Sequence, residues 1–333
     1  MTMDGKPVLE VANLRTEFRT AAGVVKAVDD VSFSVGRGQI MGLVGESGSG
    51  KSMTGYSIMG LIDAPGRIVG GSIRLNGQEL LGLDAEAMRR IRGDRIAMIF
   101  QDPMMTLNPV LRIGTQMTEA VLAHHDVGRQ RAREMARDGL ARVGIAAPEE
   151  RLQAYPHQFS GGMRQRVAIA IALLNKPDLI ICDEPTTALD VTTQNQILYE
   201  MQTLCRESGS ALVWITHDLA VVAGLADTVA VMYAGQLVEQ GSVRQVLEAP
   251  RHPYTRALIA SAPSRNPRGQ PLAQIDGMAP SPLEAPSGCR FRDRCPRATA
   301  ECASPPPLDM EVDSGHGWRC FHPHLEDRER DDG

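Results

Sequence analysis

The run Gly45-Glu46-Ser47-Gly48-Ser49-Gly50-Lys51-Ser52 constrains this chain more than any other stretch, because it is a complete phosphate-binding loop. It follows an apolar segment, Ile40-Met41-Gly42-Leu43-Val44, and precedes a stretch able to start a helix. Strand, loop and helix in that order are what the chemistry requires. Gly45, Gly48 and Gly50, with Ser47 and Ser49 between them, let the backbone curl so that successive N–H groups face anionic oxygens at a helix N-terminus. Lys51 then reaches the terminal phosphates as a point charge, and Ser52 offers its hydroxyl to Mg²⁺.

Two further stretches extend that chemistry. Leu179-Ile180-Ile181-Cys182-Asp183-Glu184 is an apolar strand ending in two acids. Asp183 is placed to bind Mg²⁺, directly or through water, and Glu184 to polarise a water in line with a γ-phosphate as general base. Alone, such a pair is a solvated turn; following a phosphate loop, it is a catalytic candidate. Phe159-Ser160-Gly161-Gly162-Met163-Arg164-Gln165-Arg166 supplies a second anion-receiving helix start, with Ser160 as N-cap and Val167 to Leu174 continuing the helix. One nucleotide does not need two such cradles from one subunit. The second is therefore expected to complete the site of another subunit.

With 333 residues the chain has room for one large or two modest domains. A net charge of −5 argues against a nucleic-acid binder that relies on a basic surface. No apolar run approaches the roughly 18 residues that span a bilayer, and Met1 to Lys6 opens no signal peptide, so a cytosolic chain is expected. Val8 to Val35 alternates apolar and polar residues and breaks at Ala21-Ala22-Gly23, as in an antiparallel hairpin. Arg95 to Phe100, Leu179 to Cys182 and Ala211 to Thr216 are continuously apolar, as strands buried on both faces of a parallel sheet are. Val110 to Gln153 turns helical, with an amphipathic pattern over Gln130 to Val143. Prolines at 263, 267, 271, 280, 282 and 286 make Ser261 to Gly288 a loop or linker, and the charged tail Glu326 to Gly333 is expected to be disordered.

Taken together, these residues resemble the nucleotide-binding subunit of an ABC transporter. The likeness runs from Val8 to Tyr254 through the phosphate loop, Gln101, the Ser160–Gln165 signature, the Leu179–Glu184 strand, Ala188-Leu189-Asp190, and His217 after Val213-Trp214-Ile215-Thr216. It implies an α/β P-loop NTPase core, a mostly parallel sheet with flanking helices. An N-terminal antiparallel β subdomain and a helical subdomain at about 102–160 complete an ATP-binding domain over 1–250. Gln101 is implied to contact Mg²⁺ and the attacking water, and His217 to contact the γ-phosphate. Catalysis would then rest on Glu184, His217 and Gln101, and Mg²⁺ on Ser52, Gln101 and Asp183. Phe18 would stack on adenine, with core packing as its alternative. Ser160, Gly161, Gly162, Gln165 and Asp190 would act across a dimer interface on the partner's ATP.

Within that family, Gln101-Asp102-Pro103-Met104-Met105-Thr106-Leu107-Asn108-Pro109 and His252-Pro253-Tyr254-Thr255-Arg256-Ala257-Leu258 resemble segments of the oligopeptide/dipeptide importers, whose relatives carry nickel or glutathione. Pro286 to Pro296 resembles the continuation of their C-terminal extension, here a loop-rich 251–333. The resemblance implies a second ABC ATPase chain as a heterodimer partner and two transmembrane permeases. An extracellular binding protein would act indirectly, nucleic acid is not implied, and the location would be the cytoplasmic face of the membrane. Cys289, Cys295, Cys302 and Cys320 are spaced C-x₅-C-x₆-C-x₁₇-C, unlike paired C-x₂-C zinc knuckles. Four thiolates on loops suit a [4Fe–4S] cluster, which the subfamily resemblance also implies. Zinc, with His316, His322 and His324 close by, and plain free thiols remain alternatives. Outside transport, a ribosome- or DNA-directed ATPase is the rival reading, but the second cassette or long coiled coil of such proteins is missing, as is a basic stripe.

Overall fold

Three of the continuous apolar segments are strands buried along their whole length: Ile96–Ile99, Leu179–Asp183 and Ala211–Thr216. The computed structural model describes residues 6–186, 190–262, 273–283, 285–311 and 314–325. The chain divides into two compact units, one of residues 1–9, 35–40 and 74–214, the other of 10–34, 41–73 and 215–333.

The first unit is built on those strands. Ile96–Ile99 and Leu179–Asp183 run parallel, Ile96 opposite Leu179 and Ile99 opposite Cys182, and Ala211–Thr216 lies hydrogen-bonded beside the second. Arg95 and Asp178 close the start of the pair with a 2.5 Å ion pair. Between the strands the chain is helical: Ile113–Leu122, Arg129–Arg142 and Pro148–Arg151. Ala132, Ala136 and Leu140 are the buried positions of Arg129–Arg142, four residues apart on one face, as the amphipathic pattern requires. The helix Gly161–Leu173 follows and buries most of its length.

In the second unit Leu9–Thr20 and Gly23–Val35 are neighbouring strands joined at Ala21-Ala22, and so short a connection makes them antiparallel. Gly66–Leu75 pairs on the other side of Leu9–Thr20. A second set of strands runs in the order Asp309–Glu311, His316–Trp318, Gln236–Ser242, Thr228–Tyr233, Ile40–Val44. Thr228–Tyr233 is parallel to Ile40–Val44, and the other pairs along this edge are antiparallel. The C-terminal region is thus not only loops, since two of its short strands extend this sheet. Glu239, fully buried, anchors them: its carboxylate accepts from the N–H groups of Arg251 (2.7 Å) and His252 (2.8 Å) and lies 2.8 Å from Nε2 of His316. Prolines 263, 267 and 271 and the tail Glu326 to Gly333 lie outside the described residues.

Among the described residues no helix is long and apolar enough to cross a membrane. Cys182 and Cys205 are buried hydrophobes of the first unit. Burial pushes the Cys205 thiol up to about 12 and that of Cys182 well above its ordinary range. A thiol at that value is ionised in about one molecule in ten thousand at pH 8. Iodoacetamide at pH 8 therefore leaves both unmodified in the native protein and alkylates them in urea; native labelling followed by peptide mass analysis checks this.

Candidate functional site

The phosphate loop belongs to the second unit. Ile40–Val44 is wholly buried, the loop leaves its end, and the helix Lys51–Met59 begins at Lys51. Gly45 adopts φ +154°, and a Cβ there would stand 2.1 Å from the Met232 carbonyl oxygen. No side chain fits, because the loop is pressed against the neighbouring strand. Gly45→Ala displaces the loop, and the expected result is a rise of tenfold or more in the Kd for ATP, roughly the cost of a misplaced binding backbone; equilibrium nucleotide titration checks it. Gly50 is left-handed at φ +102° and opens the helix. Ser47 and Gly48 form the exposed crest, while Ser49 is buried, its Oγ lacking a hydrogen-bond partner among the described residues and its carbonyl accepting from Gly235 N–H at 2.8 Å. Lys51 is buried and its ammonium donates to the carbonyls of Gly45 (2.8 Å) and Glu46 (3.0 Å), which holds the loop curled around a positive centre. Ser52 stands beside it in the first helical turn.

Glu46 is held from three sides. Its carbonyl accepts from Lys51, its N–H donates to Tyr254 Oη at 3.0 Å, and its carboxylate takes a two-pronged ion pair from Arg294 at 2.8 and 3.1 Å. These partners were not predicted from the sequence. His217 is exposed just past the end of Ala211–Thr216, and Asp218 caps the helix Leu219–Leu225 behind it. Phe18 is half-buried with its ring against Gly66, where a Cβ would stand 2.5 Å from the ring; the packing alternative thus has an observed partner.

The first unit carries the acids and the signature. Because Ile99 faces Cys182, the chains continue so that Gln101 and Asp183-Glu184 leave the same edge of the parallel pair. Asp183 is buried. Glu184 sits in the left-handed region at φ +46°, a conformation that costs a non-glycine residue about 1 kcal/mol and gathers at functional sites. Ser160 caps Gly161–Leu173, its Oγ accepting from Met163 N–H at 3.3 Å, and Ser160 and Gly161 are exposed while Gly162 is half-covered. Gln165 is buried with Nε2 unpartnered among the described residues. Asp190 is exposed and caps Val191–Ser208, and its hydrogen bonds from Thr193 hold its carboxyl below the usual range. Ala188 and Leu189 lie outside the described residues.

The four late cysteines converge. Cys289, Cys295, Cys302 and Cys320 line one pocket together with His252 and Phe291. Gly288 is packed so closely that a Cβ would meet the carbonyls of Cys302 and Ala303 at 2.4 Å, and Cys289 N–H donates to the Cys302 carbonyl at 2.9 Å. Cys320 Sγ accepts from His322 N–H at 3.3 Å. Burial pushes the Cys289 and Cys295 thiols up, and that of Cys320 up to about 12. Among the described residues no three His, Cys, Asp or Glu side chains are arranged to hold a metal ion. The nearby histidines are engaged elsewhere: His316 with Glu239, His322 with Thr299 (2.7 Å), His324 with Arg297 (2.9 Å).

A phosphate loop after a buried strand, two acids at the end of another, and a capped glycine helix start together describe an ATP cassette. Residues 28–187 match the family model for the ABC transporter, and residues 238–302 match that for the oligopeptide/dipeptide transporter C-terminal region. This chain belongs to the ABC transporter family. It is 47% identical to the oligopeptide transport ATP-binding protein OppD of Escherichia coli, over 95% of this chain and 93% of that one. It is 49% identical to a putative peptide import ATP-binding protein of Brucella melitensis, over 96% and 98%. Among solved structures it resembles the dimeric ATP-binding cassette MJ0796 in a post-hydrolysis state bound to ADP and Pi, with a TM-score of 0.64 and 27% identity over 71% of this chain and 99% of that one. The fold is that of an α/β P-loop NTPase, and as a family member the chain binds and hydrolyses ATP.

Proposed function

We propose that this chain is the ATP-hydrolysing motor of a membrane importer for oligopeptides or dipeptides. One observation carries the reading: the cassette continues into a peptide-transporter C-terminal region, in a chain similar to peptide-import ATPases over nearly all its length. The cassette would occupy about 1–250, with its helical subdomain at about 102–160 and the extension at 251–333. Two ATP molecules would be sandwiched between the phosphate loop of one subunit and the signature (Ser160, Gly161, Gly162, Gln165, with Asp190) of the other. Lys51 binds the terminal phosphates, and Ser52, Gln101 and Asp183 hold Mg²⁺. Glu184 takes the proton of the attacking water, and His217 contacts the γ-phosphate. The γ-phosphates favour the closed dimer and hydrolysis removes them, so permease access alternates with the nucleotide state. The partners are a second, related ATPase chain and two permeases, fed by an extracellular binding protein, with this chain held at the cytoplasmic face of the membrane.

The four thiols line one pocket, and a [4Fe–4S] cluster is the occupant we propose for it, on the strength of four cysteines with no paired C-x₂-C knuckle. Cys289, Cys295, Cys302 and Cys320 would hold the cluster, which supplies one-electron chemistry when bound; ATP hydrolysis needs none. Anaerobically purified protein is expected to contain about four irons and four sulfides per chain with broad absorption near ~400 nm. Zinc alone would overturn the cluster assignment. An affinity tag on this chain, pulled from detergent-solubilised membranes, tests the motor assignment. Recovery of two permeases and a second ATPase is expected, and ribosomes or DNA in their place would overturn it.

A further inference from the structure

The phosphate loop carries a carboxylate where a triphosphate must bind. Glu46 lies between Gly45 and Ser47, and uncompensated it would repel the nucleotide. Arg294, contributed by the C-terminal extension 248 residues further on, neutralises it with a two-pronged ion pair. The pair is built rather than incidental. The Arg294 side chain is 7% exposed, and its guanidinium lies 5.8 Å from the centre of the Tyr233 ring and 5.9 Å from that of Phe291. It also donates to Tyr233 Oη at 3.2 Å and to the carbonyls of Asp276 (2.9 Å) and Ile275 (3.3 Å). The Glu46 carboxylate increases the affinity of Arg294 for its proton still further.

A second tie fixes the backbone of the same residue. Tyr254 accepts from Glu46 N–H, and Tyr254, Tyr233 and Phe291 pack ring against ring with centroids 4.5 to 5.4 Å apart. A third tie is relayed. Arg290 pairs with Asp29 and donates to the Ala234 carbonyl; Gly235, the next residue, donates to Ser49 of the loop at 2.8 Å. Arg290, Phe291 and Arg294 all lie in the short segment bounded by Cys289 and Cys295.

We propose that Arg294 is a positioning residue for nucleotide binding: with Tyr254, and acting through Glu46, it sets the shape and charge of the phosphate loop, so the C-terminal extension helps determine ATP affinity. Arg294 does not touch the phosphates; it screens a like charge and holds one peptide of the loop. Its effect therefore appears in binding rather than in the chemical step.

The test is equilibrium binding of a non-hydrolysable ATP analogue to the full-length chain, paired with steady-state kinetics. Arg294→Ala is expected to raise the Kd and the KM for ATP about tenfold, with kcat at saturating ATP within about twofold of wild type. Glu46→Ala placed on Arg294→Ala should recover most of that loss, because the repelling carboxylate is then gone. Arg294→Lys, which keeps the charge but not the fork, falls between. Arg292→Ala, in the same segment but with its side chain paired only with Asp293 among the described residues, leaves Kd unchanged. If Arg294→Ala does not fold, Arg294→Gln carries the test: it keeps hydrogen-bonding atoms near Glu46 but not the charge, with an expected Kd increase of about threefold or more. The proposal is overturned if both Arg294→Ala and Arg294→Gln bind like wild type, or if the double variant binds no more tightly than Arg294→Ala.

Discussion

Glu184→Gln is expected to lower steady-state ATP turnover by about a thousandfold while MgATP still binds. The amide matches the carboxylate in size and can still orient a water, but it cannot accept a proton. The backbone at this position favours the assignment: Glu184 is held at φ +46° directly after a buried strand, so the fold bears a local cost to aim this one side chain. Binding without turnover also traps the closed state, so the variant should accumulate as ATP-bound dimers. Phosphate release and sizing with ATP present check both halves. A variant turning over within about threefold of wild type would remove Glu184 from the role of base.

Lys51→Ala is expected to act on the earlier step, raising the Kd for ATP about a hundredfold, the scale of one lost charge-assisted hydrogen bond to phosphate. In the folded chain the ammonium is buried and donates to two loop carbonyls, Gly45 and Glu46. Its removal thus takes away a charge and also loosens the curl that points the loop's N–H groups inward. Lys51→Arg does not repair the site, because a guanidinium fork cannot replace a point charge in so tight a ring of carbonyls. Isothermal titration with MgATP separates this loss from that of Glu184→Gln, where affinity is retained.

The nucleotide-binding elements were legible because their signals are local. Leu179–Asp183 and Ala211–Thr216 announce themselves as unbroken apolar runs, and the phosphate loop is eight consecutive residues. Gly66–Leu75 carries no clear strand signal, since three of its ten residues are glycine and only Ile73 and Leu75 are buried. Asp309–Glu311 and His316–Trp318 are three residues each, too short to show a period; they exist because Gln236–Ser242 offers an edge to pair with. The Glu46–Arg294 ion pair leaves no trace in any window of sequence, and neither does the convergence of four cysteines with unequal spacing on one pocket. Long-range contacts of this kind are decided by packing around Phe291 and Tyr254, and only the fold reveals them.

ATP-driven peptide uptake is the most direct test of a peptide-import motor. In cells deleted for this chain, uptake of a radiolabelled tri- or tetrapeptide should be lost, restored by the wild-type chain and not by Glu184→Gln. Peptide uptake that survives the deletion, or restored uptake of nickel or glutathione in its place, would contradict a peptide-import motor.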